Sequence, residues 1–478
     1  MNSFKSRFVN ALAWNAGGKV VSQAFSIIIG IVLARLLTPE AYGLVAMVLV
    51  FTGLAALLAD VGLGSALVQK QELLSVHFNS VFWCNLGLGV TLAVTLFSFS
   101  ADISNFYNQT EIKPIVQILS LGFVIGAASL VHRQVLVKSM RFKYLALADF
   151  FGMAGSGVLA IILAMNGFGF WSLVFQQITN KVIVFLTVSW SSGWKPRFEF
   201  SKTALHELLS FSVYVFLTRL LQYAAMRVDK LITGKYLGAG SVGLIDKAQS
   251  MMLFPLQNIS HTIGGVMFPA LSSLNGDLPR VRKVYLKCIE AVAFLTFPMM
   301  AGMFVVSEAF ILGVLGEHWS DLVPIFQIFC FAGLINSVAT ITGAVYLSQG
   351  ASKLQFRVNL ITRPLVIACV IVGFTWGITG VVWGIVVAAW ISGIYTMMKA
   401  WALIKLSWSV VVRVLLPIIG LTFVMSFVVY LAGNFASSYG FIVTLLVQIL
   451  TGAIVYLILS LVFRVKALSS FREAIFKS

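Results

Sequence analysis

Runs of about 20 apolar residues recur from one end of this chain to the other, and they constrain its fold more than any other feature. Wound as helix, such a run matches the hydrocarbon thickness of a bilayer. Inside a bilayer only helices and closed barrels satisfy every backbone polar group. Fourteen runs can be read, near 9–36, 42–69, 79–101, 114–135, 146–165, 168–190, 209–236, 242–270, 288–314, 322–347, 356–376, 379–402, 411–432 and 440–463. The longest connections, 193–208 and 273–286, leave no room for a soluble domain. Of the 478 residues 59% are hydrophobic and only 10% charged, where a soluble domain carries about a quarter charged. The expected fold is an all-α polytopic membrane protein of about fourteen transmembrane helices, with tilts or kinks in the longer runs.

The opening MNSFKSRF carries Lys5 and Arg7, but the run behind it is long, contains Lys19 and lacks a small-residue cleavage site. It reads as a retained first helix. Cys84, Cys288, Cys330 and Cys369 fall in or beside apolar runs without CxxC spacing, so neither a disulfide framework nor a metal site is expected.

Basic residues set the orientation. They gather in alternate connections, among them Arg133, Lys138, Arg141 and Lys143; Lys195, Arg197 and Lys202; and Arg280, Arg282, Lys283 and Lys287. The opposite connections hold only Arg35, Lys113 and Lys235, among acids such as Glu40, Asp102, Glu111, Glu308, Glu317 and Asp321. The positive-inside rule then places both termini in the cytoplasm. The net charge of +17 is a topology signal. Divided among short loops, it forms no basic domain for nucleic acid.

The chain also repeats. Shifted by 200 residues, VLARLLTPEAYGL (32–44) lies over ITGKYLGAGSVGL (232–244); shifted by 210, PIVQI (114–118) lies over PIFQI (324–328). Two parallel six-helix lobes follow, 1–195 and 205–403, with 404–478 adding two C-terminal helices and a tail. Parallel repeats of this kind suit transporters that rock two lobes about a midplane site.

Seven bases lie within or at the edges of the runs, Lys19, Lys181, Arg219, Arg227, Lys230, Lys247 and Arg363, beside four acids, Asp60, Asp149, Asp229 and Asp246. Each costs about 2.5–3.5 kcal/mol near mid-bilayer, so each must face protein or water and find a partner. Lys19 and Asp60 lie about 15 Å and about 14 Å from the cytoplasmic ends of their runs at 1.5 Å per residue. They form either an ion pair locking two helices or a proton or sodium site at Asp60. Across the short outer turn LGAGS (237–241), Asp229 with Lys247 and Lys230 with Asp246 would neutralise one another as structural ion pairs. The cations left over are Lys19, Lys181, Arg219, Arg227 and Arg363. The 200-residue shift puts Arg219 on Lys19, and Gln177 shares a helix face with Lys181. Unpaired cations facing a cavity suit an anionic ligand, a diphosphate above all.

Enzyme signatures are absent. The five histidines are scattered, no HxxxH, GxSxG or Walker element occurs, and no cofactor is expected beyond a coupling proton or sodium ion. Glu317-His318-Trp319-Ser320-Asp321 reads as a solvated outer loop.

The segments ARLLTPEAYGLVAM (34–47), LLADVGLGSALVQK (57–70), DKLITGKYLGAGSVGLIDKAQSMMLFPLQNISHTIGGVMFPALSSL (229–274) and PIFQIFCFAGLINS (324–337) resemble the MOP exporter superfamily, specifically its polysaccharide-transporter branch of Wzx-type flippases. The resemblance covers residues 1–405 and reaches the last two spans by architecture only. It implies two lobes around a cation-lined cavity. It implies as cargo undecaprenyl diphosphate carrying an oligosaccharide repeat unit, moved from inner to outer leaflet of a bacterial cytoplasmic membrane by alternating access. Membrane lipids, a polysaccharide polymerase and glycosyltransferases would be its partners. Lys19 departs from the family pattern, so its role rests on the local argument. The alternatives are an ion-coupled multidrug-type antiporter, against which the excess of bases over acids speaks, and a membrane glycosyltransferase or polymerase, for which no catalytic loop is evident.

Overall fold

Proline and glycine punctuate the apolar runs. A computed structural model describes residues 2–59, 67, 74–203, 212–274 and 276–463; the side chains of 2–16, 19–20, 212–222, 224–226, 261–262 and 265–266 fall outside the description. Two residues separate helix α1 (Asn2–Leu36) from Pro39, which opens α2 (Pro39–Ala59) with Glu40 in its first turn. Proline lacks only a donor that a first helical turn leaves unpaired, and the acid suits the helix dipole. Next come α3 (Ser75–Ser98), a short α4 (Ser100–Tyr107), α5 (Ile112–Lys138), α6 (Phe142–Met165) and α7 (Trp171–Ser192). The long α8 (Ser212–Ser272) is broken at Gly238, whose φ of 81° and ψ of 176° belong to a backbone region essentially reserved for glycine. The expected turn at LGAGS therefore exists, and it is a single residue. In the 200-residue register Gly238 falls on Thr38, in the link between α1 and α2.

Beyond it lie α9 (Leu278–Phe310), α10 (Leu322–Ser348), α11 (Ser352–Phe374), α12 (Gly377–Leu403), α13 (Trp408–Ala436) and α14 (Phe441–Val462). Asp277 caps α9 by accepting the Arg280 N–H at 3.1 Å. Among the described residues eleven helices are long and apolar enough to cross a membrane, with Val21–Leu36 a shorter apolar stretch. The two arms of α8 occupy the remaining two expected runs. The protein is an all-α, multi-pass membrane protein.

The chain divides into two compact units, Met1–Gly243 and Leu244–Ser478. In the first, α5 packs against α2, α3 and α7, and α6 bridges α7 to α1. Lipid removes the hydrophobic drive between helices, so contact depends on close approach and interhelical bonds. Accordingly Gly89 of α3 fits against Ala127 and the Phe123 carbonyl of α5, Gly157 of α6 against Ile29 of α1, and Gly152 of α6 against Val184 and Asn180 of α7. One core gathers Leu33, Leu44, Met47, Tyr107, Ile112 and Ile115, where the α1–α2 link meets α4 and α5. At this end Gly43 and Gly243, partners in the repeat, face one another. A methyl on Gly43 would strike the Ala239 carbonyl, and one on Gly243 the Pro39 carbonyl.

In the second unit α10 packs against α9 and α12, α12 against α11, and the C-terminal pair α13–α14 against α9. The order α9–α10–α12–α11 repeats the order α3–α5–α7–α6 of the first unit. Gly373 against Gly380 and Gly384 against Cys369 bring α11 and α12 together. Tyr285, Thr342 and Trp401 join α9, α10 and α12 through buried bonds: Trp401 Nε1–H donates to the Tyr285 hydroxyl at 3.0 Å, which lies 3.1 Å from Thr342 Oγ1. Tyr456 of α14 donates to the Phe294 carbonyl of α9 at 2.8 Å.

Two connections differ from expectation. The Glu317–Asp321 loop is not simply solvated. It turns as a short 3-10 helix that buries Trp319 completely (0% exposed), with the Lys247 ammonium 5.6 Å from its ring centre. Residues 193–201, read as linker, are bonded along α3.

Candidate functional site

The charged residues of the spans divide by the company they keep. Asp149 belongs to a bidentate pair across the α5–α6 turn: Arg133 Nη1 and Nη2 donate to its two carboxylate oxygens at 2.8 and 3.3 Å. Arg133, counted in a loop from sequence, thus removes Asp149 from the acids available to the other cations.

Lys181 is different. It lies midway along α7, half-buried, and its stem crosses α5 at Gly122. A methyl on Gly122 would sit 2.6 Å from the Lys181 Nζ and 3.0 Å from its Cδ, so the missing side chain is the slot in which the lysine lies. Its ammonium is 5.3 Å from the centre of the Phe123 ring. Such a contact recovers about 0.5–2 kcal/mol, less than mid-membrane placement costs. Among the described residues no carboxylate pairs with it. The arrangement leaves the ammonium with an aromatic face and no counter-charge among the described residues.

Arg227, which sequence left without an acid, lies against an aromatic ring instead. Its guanidinium lies 5.6 Å from the Tyr223 ring centre. The Tyr223 hydroxyl shares its one hydrogen between the Leu49 and Val50 carbonyls of α2, at 3.1 and 2.8 Å. The ring fits only because residue 53 is glycine: a methyl there would lie 2.9 Å from Tyr223 Cζ. Arg227 therefore belongs to a bracket between α8 and α2, and Tyr223 is the functional neighbour that sequence reading missed. One turn separates the two residues on the helix, a spacing that brings side chains together.

In the second unit Arg363 is half-buried on α11 beside Pro364, and among the described residues its Nε–H has no hydrogen-bond partner. Lys230 is 5% exposed, Asp229, Asp246 and Lys247 are half-buried, and each of the four has an interaction partner. Asp60 and the side chains of Lys19 and Arg219 lie outside the described residues. Among the described residues no cluster of three His, Cys, Asp or Glu could hold a metal. The second unit also holds an apolar groove of about 710 Å³ between α9, α10, α12 and α13, lined by Phe297, Phe304, Phe331, Trp390 and Phe423.

Known structures place this arrangement in a class. The lipid II flippase MurJ, in an inward closed conformation, superposes with a TM-score of 0.73 at 19% identity, covering 94% of this chain and 98% of that one. At that identity the likeness fixes the fold alone: a polytopic helical membrane protein built as MurJ is.

The family is fixed by sequence. The family model for polysaccharide biosynthesis proteins matches residues 32–324, more than half of the chain, and the chain belongs to that family. Among its relatives, the lipopolysaccharide biosynthesis protein WzxC of Escherichia coli K12 is 24% identical over 377 residues, 78% of this chain and 76% of that protein. The teichuronic acid biosynthesis protein TuaB of Bacillus subtilis 168 is 28% identical over 309 residues, 64% of each chain.

Proposed function

We propose that this protein moves a lipid-linked oligosaccharide, undecaprenyl diphosphate bearing one repeat unit, from the inner to the outer leaflet of a bacterial cytoplasmic membrane for cell-surface polysaccharide synthesis. One observation carries the reading: Lys181, held inside a span by Gly122 and Phe123 with no carboxylate against it among the described residues. A diphosphate crossing hydrocarbon must exchange its hydration for fixed positive charge, and a lysine already held in the span loses little freedom in providing it. Arg363, whose Nε–H has no partner among the described residues, is a second candidate, in the second unit. Lys19 and Arg219 join them on the sequence argument. Arg227 acts through its bracket on α2, as a positioning residue. The apolar groove of the second unit matches the needs of a polyprenyl chain.

The names of the relatives support the polysaccharide end of this reading, and the repeat supports alternating access. Both termini lie in the cytoplasm on the charge argument. A proton or sodium ion, with Asp60 as its site, is the proposed coupling device. A polymerase and glycosyltransferases are the proposed working partners.

The test is binding by the purified full-length protein of a diphosphate-linked glycolipid and of the matching glycolipid without phosphate. The diphosphate form should bind the wild type more tightly, and Lys181→Ala should erase at least about tenfold of that difference, the value of one hydrogen bond to a charged group. Equal binding of the two lipids sinks the reading.

A further inference from the structure

Residues 193–201, joining α7 to α8, fold back over the first turns of α3 and are bonded there as a strap. Asn79 uses both ends of its amide: Nδ2–H donates to Glu199 Oε2 at 2.9 Å, and Oδ1 accepts the Arg197 N–H at 3.1 Å. The Ser201 N–H donates to Ser80 Oγ and the Trp83 indole N–H to the Arg197 carbonyl, both at 2.8 Å. Asn79 and Ser80 are buried, so each bond also satisfies a group that would be orphaned without the strap. Trp194 packs edge-on against Phe82 and His132, and Phe198 stacks on Trp83 with ring centres 4.7 Å apart.

Outward, the strap presents a different chemistry. Phe198 is 93% exposed, Phe200 55%, and Trp190, in the last turn of α7, 86%. Lys195, Arg197 and Lys202 are exposed in the same segment. Glu199, the only acid of the segment, is turned inward onto Asn79. Bare aromatic rings are unfavourable in water, and a row of bases is unfavourable in hydrocarbon. The place that suits both is the boundary between acyl chains and anionic headgroups. Trp83, eight residues into α3, marks the depth, about 12 Å along the helix from its start.

We infer that the 193–202 strap is a contact surface for anionic phospholipid. Lys195, Arg197 and Lys202 meet headgroup phosphates, and Phe198, Phe200 and Trp190 enter the boundary layer. Its backbone is already fixed by Asn79, Ser80 and Trp83, so lipid binding orders little more than side chains. The inference rests on the membrane fold. Only its assignment to the cytoplasmic leaflet rests on the orientation proposed above.

The experiment places the full-length protein in nanodiscs of phosphatidylcholine, with or without phosphatidylglycerol, and counts retained phosphatidylglycerol by native mass spectrometry while following the melting temperature. Phosphatidylglycerol should be retained by the wild type and raise its melting temperature. The triple variant Lys195→Gln, Arg197→Gln, Lys202→Gln should lose affinity by about fivefold per base removed. The single variants Lys195→Gln and Lys202→Gln remove side chains that the strap's bonds do not use, and they carry the test should the triple variant misfold. Unchanged phosphatidylglycerol binding in these variants overturns the inference. So does release of the retained phosphatidylglycerol by an equimolar amount of soluble geranyl diphosphate: the surface would then read the cargo's diphosphate head, an outcome that leaves the Lys181 reading standing.

Discussion

A lysine inside a span is stable only where its surroundings are built for it, and Gly122 is the part of the surroundings most open to test. Gly122→Val should fill the slot and push the Lys181 ammonium off the Phe123 face, lowering affinity for a diphosphate lipid about tenfold, as the loss of one charged hydrogen bond would. Its melting temperature should fall only modestly, because the atoms met first, the Lys181 ammonium and stem, belong to a flexible side chain. Lys181→Arg, which keeps the charge, should retain more affinity than Lys181→Ala. Tyr223 carries a different prediction. Tyr223→Phe removes the hydroxyl that ties the ring beneath Arg227 to the α2 carbonyls and should cost about 1–3 kcal/mol of stability. Adding Arg227→Gln should then cost less than it does in the wild type, since the two share one interaction. Thermal melts of the four proteins supply the cycle.

Element by element, the fold is held by places where a side chain is missing. Gly238→Ala forces a Cβ into a glycine-only backbone region and should cost about 1–3 kcal/mol. Gly43→Val should cost at least as much, because the atoms it meets are the Ala239 backbone and cannot rotate away. Gly420→Ala, with open space around it, is the control and should leave the melting temperature unlowered. Much of this was legible before the structure. Eleven of the apolar runs fall on helices long and apolar enough to cross a membrane among the described residues, and the LGAGS turn is where the repeat puts it. The interactions that decide the charged residues were not legible, for a physical reason. In an apolar run an aromatic residue looks alike whether it faces lipid or receives a cation, so Tyr223 and Phe123 carried no mark. Trp319, embedded in Glu, His, Ser and Asp, read as loop although its indole packs on Lys247. Arg133 read as a cytoplasmic base because its partner, Asp149, lies sixteen residues on and across a turn.

At the scale of the whole molecule, a membrane protein with more interior bases than acids should prefer anionic cargo to cationic cargo, whatever sugar the lipid bears. The orientation is checked by labelling single cysteines at Lys202 and at Tyr236 in intact cells. A membrane-impermeant maleimide should reach the second and not the first. The most direct test of the central claim is transbilayer movement in proteoliposomes of a diphosphate-linked oligosaccharide lipid, wild type against Lys181→Ala, with a cationic dye as competing cargo. The account predicts lipid movement by the wild type, its loss in the folded Lys181→Ala protein, and no dye transport. Dye transport without lipid movement, or lipid movement indifferent to Lys181, would contradict it.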